Sequence, residues 1–386
     1  MQIHKIARVT AIPLNVPMHV TLAGADRKTS LACVHVEVET TQGLIGHGFT
    51  AITEEDVIAQ IVNGVAGPAI IGDDAMAHEA IWEKLYWKTM PRGQTGYAAH
   101  ALAAIDLALW DIKGKALGEP VWRLLGGARA RVPVYATFGF GFFDREQLAA
   151  AAKHWVAQGF RRLKMTVGNE ALRRRDQRAL ADVIKEDAAR VRAVREAVGP
   201  EIELFVDANC NLDLYHAAHL AGMIKPYHIG FFEEPLSQND VQQMAELRRV
   251  SGMALACGQN EGLLFRFRDL LLAKSVDILQ PNVAIGGGIT QCLKVAGLAA
   301  AFNVPIDNGG AWPFHNMHLH AGLAHGGMVE YHYLAVELSR QLYRDLPTPD
   351  AGFLTLPTAP GLGFEPDRDA IREIAKLPLS QGNAKG

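Results

Sequence analysis

ELFVDAN at Glu203–Asn209, GFFEEP at Gly230–Pro235 and ACGQNE at Ala256–Glu261 repeat one pattern, a short apolar run closed by an oxygen-bearing side chain. Such runs are short for helices and favour strands. With their neighbours they read as Glu203–Asp207, Gly230–Glu233 and Ala254–Gly258. Five more runs of this kind flank them: Val132–Thr137 and Arg162–Val167 before, and Asp277–Gln280, Val304–Asp307 and Met328–Tyr331 after. Helical stretches separate all eight, which predicts parallel crossovers. The polar residues near the run ends are Lys164, Asp207, Glu233, Gln259, Asn282, Asn308 and Glu330, at intervals of 43, 26, 26, 23, 26 and 22 residues. The long first interval carries a charged insert, Asn169–Glu186. The regular repeat is one strand–helix unit, and eight such units predict a closed barrel rather than an open sheet.

Ahead of the barrel the pattern differs. Ile3–Pro13 and Leu31–Thr40 read as strands, the second with Val34, Val36 and Val38 on one face. The polar stretch His19–Ser30 between them reads as a flexible loop, and Gly43, Gly46 and Gly48 as the next turn. Helices are predicted near Glu54–Ala66 and Ala75–Met90, then over Tyr97–Leu117, which Gly118 and Pro120 end. Gly126-Gly127 marks a boundary. The chain thus divides into an N-terminal α+β domain over residues 1–127, the barrel over 128–345, and a Pro-rich C-terminal segment over 346–386 with a short final helix.

Length and charge narrow the function classes. A chain of 386 residues fits about two domains. Lys plus Arg is 38 and Asp plus Glu is 41, a net charge of −3, so no basic surplus points to nucleic acid or a membrane surface. No apolar run is long enough for a transmembrane helix, and the first 20 residues lack the apolar core of a signal peptide. Cys33, Cys210, Cys257 and Cys292 are widely spaced and read as reduced thiols of a cytoplasmic protein.

In a barrel of this kind the active site lies at the C-terminal ends of the strands. Asp207, Glu233 and Gln259 are oxygen donors ending three consecutive strands, a set that suits a hard cation such as Mg2+. One of them alone would read as a strand-end cap; three in register read as metal ligands. Lys164 ends the second strand, and a lysine facing a cation in a buried site has a lowered pKa and can serve as a base. His315 follows the seventh strand near the expected rim. His19, Arg27 and His47 lie on parts of the first domain that can fold over the barrel. His318 and His320 suggest a zinc pair, but on a helix that spacing points the rings to different faces. Gly286–Gly288 opens a helix and offers backbone amides to an anion.

With these residues in view, the chain resembles the mandelate racemase and muconate lactonizing enzyme branch of the enolase superfamily over nearly its whole length. AAIDLALWDIKGKALGEPVWRLLGG, RVRAVREAVGP, VDAN, FFEEP, DILQPN and APGLGFEPDRDAI carry the resemblance in order and spacing. It implies a TIM-like (β/α)7β barrel with an N-terminal α+β capping domain, to which the C-terminal segment returns. It also implies Mg2+ on Asp207, Glu233 and the third ligand position. That position is usually Glu in a GEN-type motif and is Gln259 here, with Glu261 as an alternative. The usual Lys-x-Lys of the second strand reads Lys164-Met165-Thr166. The Asp of the usual His–Asp dyad is replaced by Asn282, and Asp307, Asn308 and Gly309 stand where the histidine would be.

The expected activity is that of a Mg2+-dependent lyase or isomerase on a small carboxylate substrate. Dehydration of an acid sugar comes first, through loss of the α-proton to an enediolate. Lys164 is the expected base, with His315 or Asp307 as the opposite group. His19, Arg27, His47, Asn282, Asn308 and Glu330 are expected to contact substrate, and the protein is expected to be a homo-oligomer. A racemase, epimerase or cycloisomerase of the same superfamily is the alternative, followed by a non-catalytic binding protein on this fold.

Overall fold

The computed structural model describes residues 3–380, so the end of the C-terminal segment lies outside the described residues. The barrel strands are Arg131–Gly139, Arg162–Thr166, Glu203–Asp207, Ile229–Glu233, Leu255–Cys257, Ile278–Leu279, a seventh position at Ile306, and Val329–His332. The parallel sheet runs from the eighth strand through the first to the sixth, and Ile306 closes the ring by bridging Leu279 and Gly326. The expected strand Val304–Asp307 shrinks to this bridge. Pro305 brings no N–H to the ladder; its carbonyl accepts from Leu279 N, and Asn308 N donates to Met328 O.

Alternation along the strands sorts the barrel interior into layers. Tyr135, Phe205, Phe231 and Ala256 form one buried apolar cluster, with Ile278 and Met328 against it. The Phe205 and Phe231 rings stack at 4.1 Å. Two residues further along the same strands come Thr137, Asp207, Glu233, Gly258, Gln280 and Glu330. A greasy plug therefore supports a polar layer at the C-terminal mouth.

The cap is a three-stranded antiparallel sheet, Ile6–Val20, Arg27–Thr40 and Ile45–Ala51, covered by helices that include Tyr97–Leu117. Its first hairpin is much longer than expected. Leu14, Val16, Met18 and Val20 are buried in alternation, and pairing continues to Val20 opposite Arg27. The strand pairs on one side only, so Pro13 and Pro17 cost no ladder bond. His19 and Arg27 are thus strand residues near the hairpin tip. Gly46 and Gly48 are not turn residues but lie in the third strand. A Cβ at either would collide with the carbonyl oxygens of Ala108 and Ala104 on the long helix.

Two buried aspartates of that helix lock the parts together. Asp106 accepts from Thr290 N at 2.9 Å and from Thr290 Oγ1 at 2.5 Å, at the start of the helix Gly288–Ala301. The anion drawn to the Gly286–Gly288 helix start is therefore the protein's own carboxylate. Asp111 accepts from His47 N at 3.0 Å and Leu362 N at 2.9 Å, fastening the C-terminal segment to the cap. That segment also adds Phe353–Thr355 antiparallel to the first barrel strand.

His315 lies in this seam. Its ring stacks on Phe49 at 5.1 Å and meets Tyr343 and Phe364, and neither ring nitrogen has a partner. Burial holds it neutral, well below the ordinary histidine pKa. An unfolded histidine titrates near 6.5. Below that pH the unfolded chain binds a proton that the folded one refuses, so the contribution of His315 is complete above about pH 6.5 and is lost as pH falls. Asp106, raised by burial to about 7, acts in the opposite sense, so the histidine is isolated by comparison. In urea unfolding, His315→Phe is expected to gain on wild type as pH falls from about 6.5, by up to about 1.4 kcal/mol per pH unit. A stability difference independent of pH would contradict the assignment.

Candidate active site

The second strand carries Lys164 to the centre of the polar layer, over the Tyr135 ring at 5.5 Å. Its ammonium lies 2.7 Å from Glu233 Oε2, 3.0 Å from Glu330 Oε1 and 3.2 Å from Asp207 Oδ2. All four residues are at most 4% exposed. Three carboxylates thus face one ammonium, leaving the cluster two charges short of neutrality if all ionise. Burial, with the charge of Asp207, pushes Glu233 well above the usual carboxylate range, and burial also raises Asp207. Burial acts the same way on Glu330. There the charge of Lys164, with the His332 ring and bonds from Thr137 and Ala311, outweighs it and keeps the carboxyl below its ordinary value.

Amides and hydroxyls complete the layer. Gln259 Nε2 donates to Glu233 Oε1 at 3.0 Å and Glu234 Oε2 at 2.9 Å, and Gln280 Nε2 donates to Glu233 Oε2 at 2.9 Å. A carboxylate in place of Gln259 would crowd a third anion against these two. Thr137 Oγ1 donates to Glu330 Oε1 at 2.5 Å, and Ala311 N donates to Glu330 Oε2 at 2.7 Å. Behind the mouth, Arg190 pairs with Asp187 at 2.9 Å and donates to Phe140 O at 3.0 Å, while Asp187 accepts from Gly168 N at 2.7 Å, bracing the loops after the first two strands.

The cluster joins Lys164, Asp207, Glu233, Gln259 and Glu330, but other expected residues fall elsewhere. His315 is held in the seam, because its face of the helix Pro313–Gly322 packs on the cap. Asp307 lies a layer lower. It accepts from Met328 N at 2.6 Å, and the charges acting on it are Arg162 and Glu203 at the starts of the second and third strands. Asn282 and Asn308 are braces. Asn282 Nδ2 donates to Gly309 O at 2.7 Å and Gly310 O at 2.9 Å, and Asn308 Oδ1 accepts from Glu330 N at 3.0 Å. His47 is sealed against Phe364 O at 2.9 Å, away from the mouth. His19 pairs with Asp26 at 2.5 Å on the hairpin tip. Arg27 reaches the rim, 4.8 Å over the Phe142 ring. Glu261 is paired with Arg266 at 2.8 Å. His318 and His320 diverge, to Leu362 O and Gly327 N respectively, each at 3.1 Å.

The carboxylates around Lys164 act on its pKa against the lowering that a bound cation would bring. Burial lowers it, but Glu233, Glu330 and Asp207 outweigh burial and hold it above the ordinary lysine value. Thr166 donates to Gly139 O at 2.9 Å. Gln280, Thr137 and His332 belong to the mouth without having been singled out in the sequence. Each lies on the inward side of its strand, and counting in twos from Ile278, Tyr135 and Met328 finds all three. Removing the central cation should be costly. Lys164→Met in chelator is expected to lose about 3–5 kcal/mol of unfolding free energy by urea titration, because it strands buried carboxylates. A loss under about 1 kcal/mol would contradict the central ion-pair cluster.

Comparison with known proteins agrees with this architecture. Residues 3–126 match the N-terminal domain of mandelate racemase / muconate lactonizing enzyme, and residues 147–370 match the enolase C-terminal domain-like family. Arabinonate dehydratase of Saccharolobus solfataricus is 28% identical over 350 residues, 89% of this chain and 90% of the relative. The 3,6-anhydro-α-L-galactonate cycloisomerase of Streptomyces coelicolor is 32% identical over 350 residues, 89% of this chain and 91% of the relative. Among solved structures, a racemase from Streptomyces coelicolor A3(2) with bound magnesium is 29% identical with a TM-score of 0.86, covering 96% of this chain and 99% of that one. A mandelate racemase/muconate lactonizing enzyme from a marine actinobacterium in complex with magnesium is 29% identical with a TM-score of 0.80, at the same coverage. On these matches, and with a cap and barrel that agree with them, the chain belongs to the mandelate racemase/muconate lactonizing enzyme family of the enolase superfamily.

Proposed function

We propose that this protein is a Mg2+-dependent lyase or isomerase that removes the α-proton of a hydroxylated carboxylate, with acid-sugar dehydration as the first reading. The observation that carries it is the surplus of buried negative charge around Lys164. Asp207, Glu233 and Glu330 against one ammonium fall short of neutrality by the charge of one divalent cation. Oxygen donors suit Mg2+, and Asp207 and Glu233, with the Gln259 side chain, would hold it. A Mg2+ bound there supplies electrostatic stabilisation for the charge that develops on the substrate carboxylate.

The chain's own groups supply the rest. Lys164, kept charged, orients the carboxylate of the substrate. Glu330 is the ionised carboxylate outside the metal set; Thr137 and the Ala311 amide aim it, and it accepts the α-proton. The residues around it are sealed from bulk water, which strengthens each of these interactions. Dehydratase relatives support loss of the β-hydroxyl as water as the next step, the leaving oxygen taking the proton that Glu330 has accepted, and the 32% identical cycloisomerase supports ring opening or closure as the second reading. Four free cysteines suit a reducing cytoplasm. Exposed Trp87 and Tyr97 on the cap suit a homo-oligomer.

Two measurements test this reading. In calorimetry, Asp207→Asn is expected to weaken Mg2+ binding strongly, and Gln259→Glu to tighten it by restoring a charge; equal binding by all three proteins would refute the ligand set. A library of sugar acids with Mg2+ in D2O, scored separately for dehydration, epimerisation and cycloisomerisation, is expected to reveal turnover with α-deuterium exchange. Glu330→Gln is expected to lose exchange by at least about 100-fold while still binding Mg2+. Exchange at the wild-type rate in Glu330→Gln would move the proton acceptor elsewhere.

A further inference from the structure

The last residue of the eighth strand is His332, two positions beyond Glu330 and on the same side. It pairs in register with Thr137, whose hydroxyl bonds Glu330. It therefore stands one layer above the Lys164 cluster, at the mouth. Its ring rests on Phe140 at 5.1 Å, at the end of the first strand, and is only partly buried. Its Nδ1 accepts from Ala335 N at 3.4 Å, capping the helix Tyr333–Leu342. With Nδ1 so engaged, the neutral ring carries its proton on Nε2. Desolvation at the mouth, with Glu330 opposing it and Lys164 adding to it, lowers the ring's pKa to about 4. Among the described residues, Nε2 makes no hydrogen bond.

We propose that His332 is a specificity-determining residue whose Nε2–H donates a hydrogen bond to a hydroxyl oxygen of the substrate. This rests on the functional reading above and narrows its substrate class. A ligand whose carboxylate lies at Lys164 extends its carbon chain upward, past Glu330, toward this ring. An N–H donor there matches a hydroxyl oxygen on that chain. The preferred substrate then carries hydroxyl groups beyond the α-carbon, and an otherwise equal deoxy acid is disfavoured because it leaves the donor unpaired.

The test uses wild type, His332→Gln and His332→Leu with Mg2+, on a panel of aldonic acids and their deoxy counterparts. Readouts are kcat/KM and calorimetric affinity. His332→Leu is expected to lose about 10- to 100-fold in kcat/KM on the aldonic acid turned over by wild type. It should lose less than about 3-fold in affinity for the deoxy acid that lacks the contacted hydroxyl, whereas His332→Gln, which keeps a side-chain N–H, should retain most activity. If His332→Leu fails to fold, wild type alone still decides, since it must bind the deoxy acid more weakly than the parent. Wild-type rates in His332→Leu, or equal wild-type affinity for parent and deoxy acids, would overturn the assignment while leaving the functional reading intact. No turnover of any panel member by wild type would sink the functional reading itself, and the assignment with it.

Discussion

A single buried ammonium holds the barrel mouth together. Lys164 touches Glu233, Glu330 and Asp207 within 3.2 Å, and no bulk water screens them. Such a cluster is tolerable only if its charges are nearly balanced, because desolvated ions are expensive. The apolar layer of Tyr135, Phe205 and Phe231 beneath it adds no compensating dipole beyond the tyrosine ring face. Protons on the raised carboxyls or a divalent cation must therefore complete the balance. The second way of meeting that requirement is the one on which the proposed function rests. The Gln259 and Gln280 amides fit the same logic, since each places an N–H against Glu233 where another carboxylate would add repulsion.

The cap is fastened to the barrel by buried polar contacts as much as by apolar packing. Asp106 occupies the start of the helix Gly288–Ala301, and Asp111 holds the returning C-terminal segment. The close approach at Gly46 and Gly48 lets the cap helix lie directly on the sheet. This rigid seam fixes the root of the first hairpin, whose far end reaches the rim where Arg27 covers Phe142. The seam's histidines, His47 and His315, are buried core residues.

Much of this arrangement can be read from the chain. Asp207 and Glu233 stand out because each closes an apolar strand at a regular interval, Lys164 because it ends the apolar run before them, and the barrel follows from the repeat. What escapes is direction. His315 follows the seventh strand in sequence, but nothing local tells that its helix face turns to the cap. Asn282 looks like a strand end, whereas the inward side from Ile278 selects Gln280. The first strand, read as Ile3–Pro13, runs on past Pro13 and Pro17 because it is an edge strand, which is a property of the whole sheet. The three carboxylates around Lys164 lie far apart in sequence, and only the fold brings them to it.

The central claim, that this cluster is built to be completed by a divalent cation, is tested most directly by thermal unfolding in chelator and in excess Mg2+. Wild type is measured beside an Asp207→Asn, Glu233→Gln double variant. A ligand that binds only the folded state raises the midpoint by mass action, so wild type is expected to melt several degrees higher in Mg2+ and the double variant to be indifferent to it. A wild-type midpoint that does not move with Mg2+ would contradict the account.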